Sequence, residues 1–233
     1  MRTAVLTGAL ILATAARAQY TEAAVTNGGT ITGRITYDGT APAPEKVTNA
    51  QDPGTCGTSR EIDEWIVSSS GGVKNVVVYL VDIKSGKKMD LPSQPVLDQK
   101  GCRYDPHTQV IAKNSSLQVK NSDPILHNIH SYQEGRTILN IAEPKQGMVV
   151  EKKMTKVGGE SLKCDVHNFM RGGLFVAENP YAAVTDADGK YELKDVPAGT
   201  YQIATFHEVA GTRMASVTVP AGGKVTYDAK VKK

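Results

Sequence analysis

The chain has 233 residues, of which 40% are hydrophobic, 22% charged and 6% aromatic, with 22 Gly and 11 Pro. That length and apolar content fit one or two packed domains and exclude a generally disordered chain. The formal net charge of +3, from 27 Lys+Arg against 24 Asp+Glu, lacks the clustered positive excess that phosphate recognition needs, which excludes nucleic acid as a leading partner.

Arg2 is followed by an apolar run, Ala4 to Ala16, and then by Ala16-Arg17-Ala18. This order, positive then apolar then small residues, predicts a signal peptide over residues 1–18, cut after Ala18. The run is shorter than the roughly 20 residues that cross a bilayer as a helix, so no membrane insertion is expected. Without Arg2 and Arg17 the charge balance becomes 25 against 24, close to neutral. The expected location is periplasmic or secreted, an oxidising environment.

From Asn27 onward the hydrophobic period is two. Ile31, Ile35 and Tyr37 alternate with Thr32, Arg34 and Thr36, and Val73–Val81 is a nearly continuous β-branched run. Further strands are expected at 116–119, 148–153, 174–177, 190–193, 201–206, 215–219 and 224–231. Turn signals separate them, among them Asp38-Gly39, Ser85-Gly86, Gly158-Gly159 and Asp188-Gly189. One helical turn is expected near Glu61–Trp65. Many short strands with Gly and Pro turns predict an all-β protein, and the length favours two sandwiches.

The chemistry concentrates in Cys164-Asp165-Val166-His167-Asn168-Phe169-Met170 and, some forty residues earlier, Asn121-Ser122-Asp123-Pro124-Ile125-Leu126-His127-Asn128. A thiolate, two imidazoles and a thioether form a soft donor set that suits copper cycling between Cu(I) and Cu(II). Taken singly, Cys164 reads as a buried thiol and each histidine as a core residue. Zinc is the competing metal, but it prefers four strong ligands and seldom takes a thioether.

Cys-x2-His-x2-Met with an upstream Asn-x-Asp-x3-His-Asn resembles the cupredoxin family, with the tight spacing of its amicyanin-like members. Cys102-Arg103-Tyr104-Asp105-Pro106, Leu117–Asn121 and Gly172–Val176 are similar to its flanking segments, so the resemblance covers roughly residues 91–178. It implies a Greek-key β-sandwich holding one type 1 copper, with His127, Cys164 and His167 as equatorial ligands and Met170 as the axial one. It also implies that Asn128 hydrogen-bonds near the cysteine sulfur, that the His167 edge is the electron port, and that Pro124, Ile125, Phe169 and Leu174 form an apolar docking rim. Asn168 stands where relatives often carry proline, which bears on the potential.

If Cys164 binds copper, Cys56 and Cys102 remain as a pair, and a disulfide between them would tie the amino-terminal segment to the metal unit. His130 lies three residues past His127, so on a strand it faces the other way. His107 and His207 read as structural. No H-E-x-x-H motif supports a zinc peptidase. Thr30–Gly39, and more strongly Ala183–Leu193 with Val196–Tyr201, resemble a carboxypeptidase regulatory-like, transthyretin-like sandwich. The expected organisation is therefore a discontinuous sandwich, 28–90 plus 179–233, with the cupredoxin inserted at 91–178. Asp186-x-Asp188-Gly189 reads as a hairpin turn and not a calcium loop.

The function expected from this reading is not enzymatic: transfer of single electrons between redox partner proteins that dock transiently. Two alternatives stand beside it. One is a periplasmic copper carrier or buffer; the other is a structural β-sandwich binding module, disfavoured by the low aromatic content. A multicopper oxidase would need more histidines than His107, His130 and His207 supply.

Overall fold

Residues 19–62 and 64–233 are described in the computed structural model, so the expected signal peptide lies outside the described residues. Alternating residues become strands because a pleated segment can bury one face and wet the other. In Gly29–Tyr37, Ile31 and Ile35 are fully buried while Thr30, Thr32, Arg34 and Thr36 are half-buried. The protein is all-β apart from one short helix, Pro53–Cys56, among the described residues. Of the helical turn expected at Glu61–Trp65, Glu61 and Ile62 lie instead in the strand Ser59–Ile62, and no described residue of it is helical. No helix among the described residues is long and apolar enough to cross a membrane.

Four larger sheets form two layered pairs. In the first pair, Val149–Lys153, Ser116–Asn121, Val96–Gln99 and Tyr104–Asp105 make a four-stranded sheet. The facing sheet runs Arg136–Glu143, His127–Gln133, Gly158–Lys163, Arg171–Ala177 and Thr108–Ala112. Leu97, Ile111, Leu117, Val119, Ile129, Leu162 and Leu174 fill the space between them. In the second pair, Ala182–Val184, Val77–Val81, Gly199–His207 and Gly211–Val219 form one sheet. The other is built around Gly29–Tyr37, which pairs with Lys190–Val196, Lys224–Thr226 and Ala229–Val231. Ile31, Ile35, Val78, Leu80, Leu193 and Ile203 form that core.

The segment expected as one strand at 224–231 is split into two short ones, Lys224–Thr226 and Ala229–Val231, both parallel to Gly29–Tyr37. Between the two pairs lies a small apolar seam of Val77, Val110, Phe175, Ala177 and Phe206.

One hairpin leaves this plan. Glu45–Thr48 and Ser59–Ile62 pair with each other, with Pro53–Cys56 between them. Val47, Cys56 and Ile62 pack into the core of the first sheet pair, although the chain on either side contributes to the second. The Cys56–Cys102 disulfide, with Cα atoms 5.5 Å apart, fastens the hairpin there.

Candidate metal centre

His127 begins the strand His127–Gln133, and Cys164 follows the neighbouring strand Gly158–Lys163. Antiparallel pairing of these strands sets His130 opposite Lys163, which brings the start of one beside the end of the other. The chain then loops through His167 to Met170 before entering Arg171–Ala177; the Met170 N–H closes the loop on the His167 carbonyl at 2.9 Å. One donor atom each from His127, Cys164 and His167 lies within 4.8 Å of the others. The Cys164 Sγ to His167 Nδ1 distance is 3.8 Å, and the two imidazole centroids are 4.7 Å apart. Met170 is buried in the same core cluster as Cys164. His127, Cys164, His167 and Met170 are all at most 2% exposed.

Both histidines are held through Nε2. His127 Nε2 lies 3.0 Å from Asp123 Oδ2, and His167 Nε2 lies 3.1 Å from Asp52 Oδ2. His127 Nδ1 is buried without any hydrogen-bond partner. A buried nitrogen left unpaired costs stability unless something occupies it, and a metal ion does so. The donor set therefore fits a copper ion: a free imidazole nitrogen, a second imidazole and a thiol converge at a buried point.

Burial favours the neutral forms of His127 and Cys164. Burial lowers the His127 pKa, which leaves the imidazole uncharged and its lone pair available. Burial raises the Cys164 thiol pKa, against the opposing N–H groups of Asn128, His167 and Val166. Asp123 sits differently. Burial works against its carboxylate, but the N–H groups of Cys102 and Gly101 and the contact with His127 outweigh it and hold its pKa below the ordinary value. Gly101 and Cys102 both have left-handed backbones, at φ of 60° and 56°. That turn delivers their N–H groups to Asp123 Oδ1 and Oδ2, each at 2.8 Å.

Asn128 holds the loop after Cys164 through Asp165, the neighbour of the cysteine. Its Oδ1 accepts from the Asp165 N–H at 2.6 Å and its Nδ2 donates to Asp165 Oδ2 at 2.9 Å. His130 points away from the cluster, to Asp165 at 3.0 Å and Thr137 at 2.9 Å. His107 meets Glu208 at 2.6 Å, and His207 stacks on Trp65 at 4.2 Å. A second grouping, Cys102 with Asp123 and His127, offers no thiolate because Cys102 is in the disulfide.

Two expectations need correction. Leu174 is fully buried and cannot belong to a docking rim. Its strand, Arg171–Ala177, runs inside the five-stranded sheet, with Leu174 and Val176 turned into that core and Phe175 and Ala177 into the seam, so nearly every residue is buried. Phe169 is 5% exposed, lying under the Arg60 guanidinium at 5.6 Å. Pro124, half-buried Ile125 and Leu126, 41% exposed, are what remains apolar at the surface beside His127. The second correction concerns His167, whose side chain is fully covered and so presents no edge to solvent. The cause is the hairpin 45–62, whose approach depends on the disulfide and on Arg60, which donates to the Gly101 carbonyl at 2.6 Å. Arg171, where that loop enters its strand, adds a contact to Glu64 at 3.1 Å.

No protein-family model matches the chain, and no curated protein matches it significantly. Solved structures do. A reduced amicyanin variant aligns at 20% identity over 36% of this chain and 82% of its own, with a TM-score of 0.33. A purple cupredoxin from Nitrosopumilus maritimus aligns at 21% identity over 37% of this chain and 100% of its own, with a TM-score of 0.31. A copper-containing nitrite reductase from Thermus scotoductus SA-01 aligns at 19% identity over 43% of this chain but only 25% of its own, at 0.33. The structural neighbours of a little over a third of this all-β chain are thus cupredoxins.

Proposed function

We propose that the chain is a type 1 copper protein of the cupredoxin kind that carries single electrons between redox partners, and is not an enzyme. The observation that carries the reading is the unpaired, buried Nδ1 of His127 in a cluster with Cys164 and His167. His127, Cys164 and His167 would hold the ion, with Met170 as the weaker fourth donor. Copper, when bound, supplies the one-electron couple. The chain's part is to exclude water, to hold both imidazoles through Asp123 and Asp52, and to lock the loop after Cys164 through Asn128. A site so constrained changes little on gaining or losing an electron, which favours fast transfer. Exposed Pro124 and Leu126, with half-buried Ile125, offer a small apolar patch beside His127 for brief docking.

The second sandwich, in this proposal, is the regulatory-like module, and residues 91–178 are the cupredoxin. One observation favours copper carriage instead: the His167 edge is covered, which suits retention. Voltammetry with a Cu(I) chelation assay separates the two. A reversible one-electron wave with copper retained after reduction supports electron transfer. Loss of Cu(I) to the chelator without a reversible wave would overturn it in favour of carriage.

A further inference from the structure

Asp52 stands at the start of the helix Pro53–Cys56, where an aspartate side chain ordinarily accepts a hydrogen bond from the first turn. It does not do so here. Its backbone carbonyl accepts from the Cys56 N–H at 2.9 Å, while its carboxylate turns away to His167 Nε2 at 3.1 Å. The residue also has a left-handed backbone, φ 46° and ψ 49°, which an aspartate tolerates at some cost. A forgone cap and an uncommon backbone at one residue fit a conformation fixed by its contact with the histidine. The segment is tied to the same turn twice: Cys56, four residues on, is bonded to Cys102, and Arg60 donates to the Gly101 carbonyl.

We propose that Asp52, from outside the cupredoxin-like unit, is a positioning residue that holds His167 with its Nε2 proton outward and its Nδ1 toward the metal, and that its charge favours the oxidised ion. This rests on the copper reading for the charge effect only; the placement of the ring is a property of the chain itself. A carboxylate bonded to the far nitrogen fixes the tautomer and makes the ring a stronger donor. Copper loses one positive charge on reduction, so an anion this close stabilises Cu(II) over Cu(I). His127 has its own carboxylate in Asp123, so each imidazole is backed by an acidic residue from a different segment.

The test pairs Asp52→Asn, which keeps an acceptor but removes the charge, with Asp52→Ala, which removes both. Nitrogen-15 NMR of the metal-free protein should show His167 protonated at Nε2 with slow exchange in the wild type, and fast exchange in Asp52→Ala. Potentiometry of the copper-loaded proteins should show Asp52→Asn shifted toward the reduced state by roughly ten-fold, about 59 mV for one electron, with its thiolate-to-copper band retained. Equal potentials in Asp52→Asn and wild type would overturn the charge effect. Protonation at Nδ1, or equal exchange in wild type and Asp52→Ala, would overturn the positioning role. Absence of any thiolate-to-copper band in the wild type would overturn the copper reading and the charge effect together, and the metal-free NMR would still decide the positioning role.

Discussion

At the scale of single residues, the side chains that cluster, His127, Cys164 and His167, stand out in the sequence, whereas the Asp52 contact to His167 does not. Cys164, His167 and Met170 sit close together along the chain, and His127 lies in a second polar segment, so rarity and spacing single them out. Asp123 lies in the Asn-x-Asp-x3-His-Asn segment, but Asp52 is one of 24 Asp+Glu in no such motif, and only folding brings it to His167. Asp123 accepts hydrogen bonds from two backbone N–H groups and from His127, so replacing it disturbs the imidazole at its far side. Asp123→Asn is expected to weaken copper binding by about 10- to 100-fold in chelator competition; unchanged affinity would show that His127 needs no such support.

Glu143 is a buried acid whose effect is on stability. Burial pushes its pKa from 4.5 to about 7, against the Gln99 hydrogen bond at 2.8 Å, and its Oε1 has no partner. A folded-state pKa above the unfolded one means that its contribution is fully present below about 4.5 and lost as pH rises through about 7. Relative to Glu143→Gln, the wild type should therefore lose up to about 3 kcal/mol between pH 5 and 8 in urea unfolding. Parallel pH curves for the two proteins would contradict this.

At the scale of elements, strands with strict alternation were readable, whereas those set by turn geometry and tertiary pairing were not. His127–Gln133 and Arg136–Glu143 form a hairpin through Glu134 and Gly135, both with positive φ. That geometry is usually announced by Asn-Gly or Asp-Gly, and Glu-Gly hides it. The hairpin 45–62 is likewise placed by its disulfide and by Val47 and Ile62 packing on the core of the first sheet pair, and not by local pattern. Opening the 46-residue separation between Cys56 and Cys102 with the double serine variant should cost about 4 kcal/mol in chemical denaturation. A loss under about 1 kcal/mol would mean that packing alone holds the hairpin.

At the scale of the whole molecule, an all-β protein with two layered units follows from composition and turn spacing, but the seam between the units does not. Phe206 lies against Gly159 so closely that a Cβ there would overlap its ring. The His107–Glu208 contact closes the seam elsewhere, with the Glu208 side chain 2% exposed. Gly159→Val should separate the sheets locally and cost about 1 to 3 kcal/mol, as overpacking does, while leaving the His127, Cys164 and His167 cluster intact. Unchanged stability would show that the seam is loose enough to yield.

The measurement that bears most directly on the account is a titration of the metal-free chain with Cu(II), followed by visible and EPR spectra, beside Cys164→Ser. The account predicts one copper per chain, an intense thiolate-to-copper band and narrow hyperfine splitting, all lost in the variant. A colourless wild type with ordinary tetragonal copper signals, unchanged in Cys164→Ser, would contradict it.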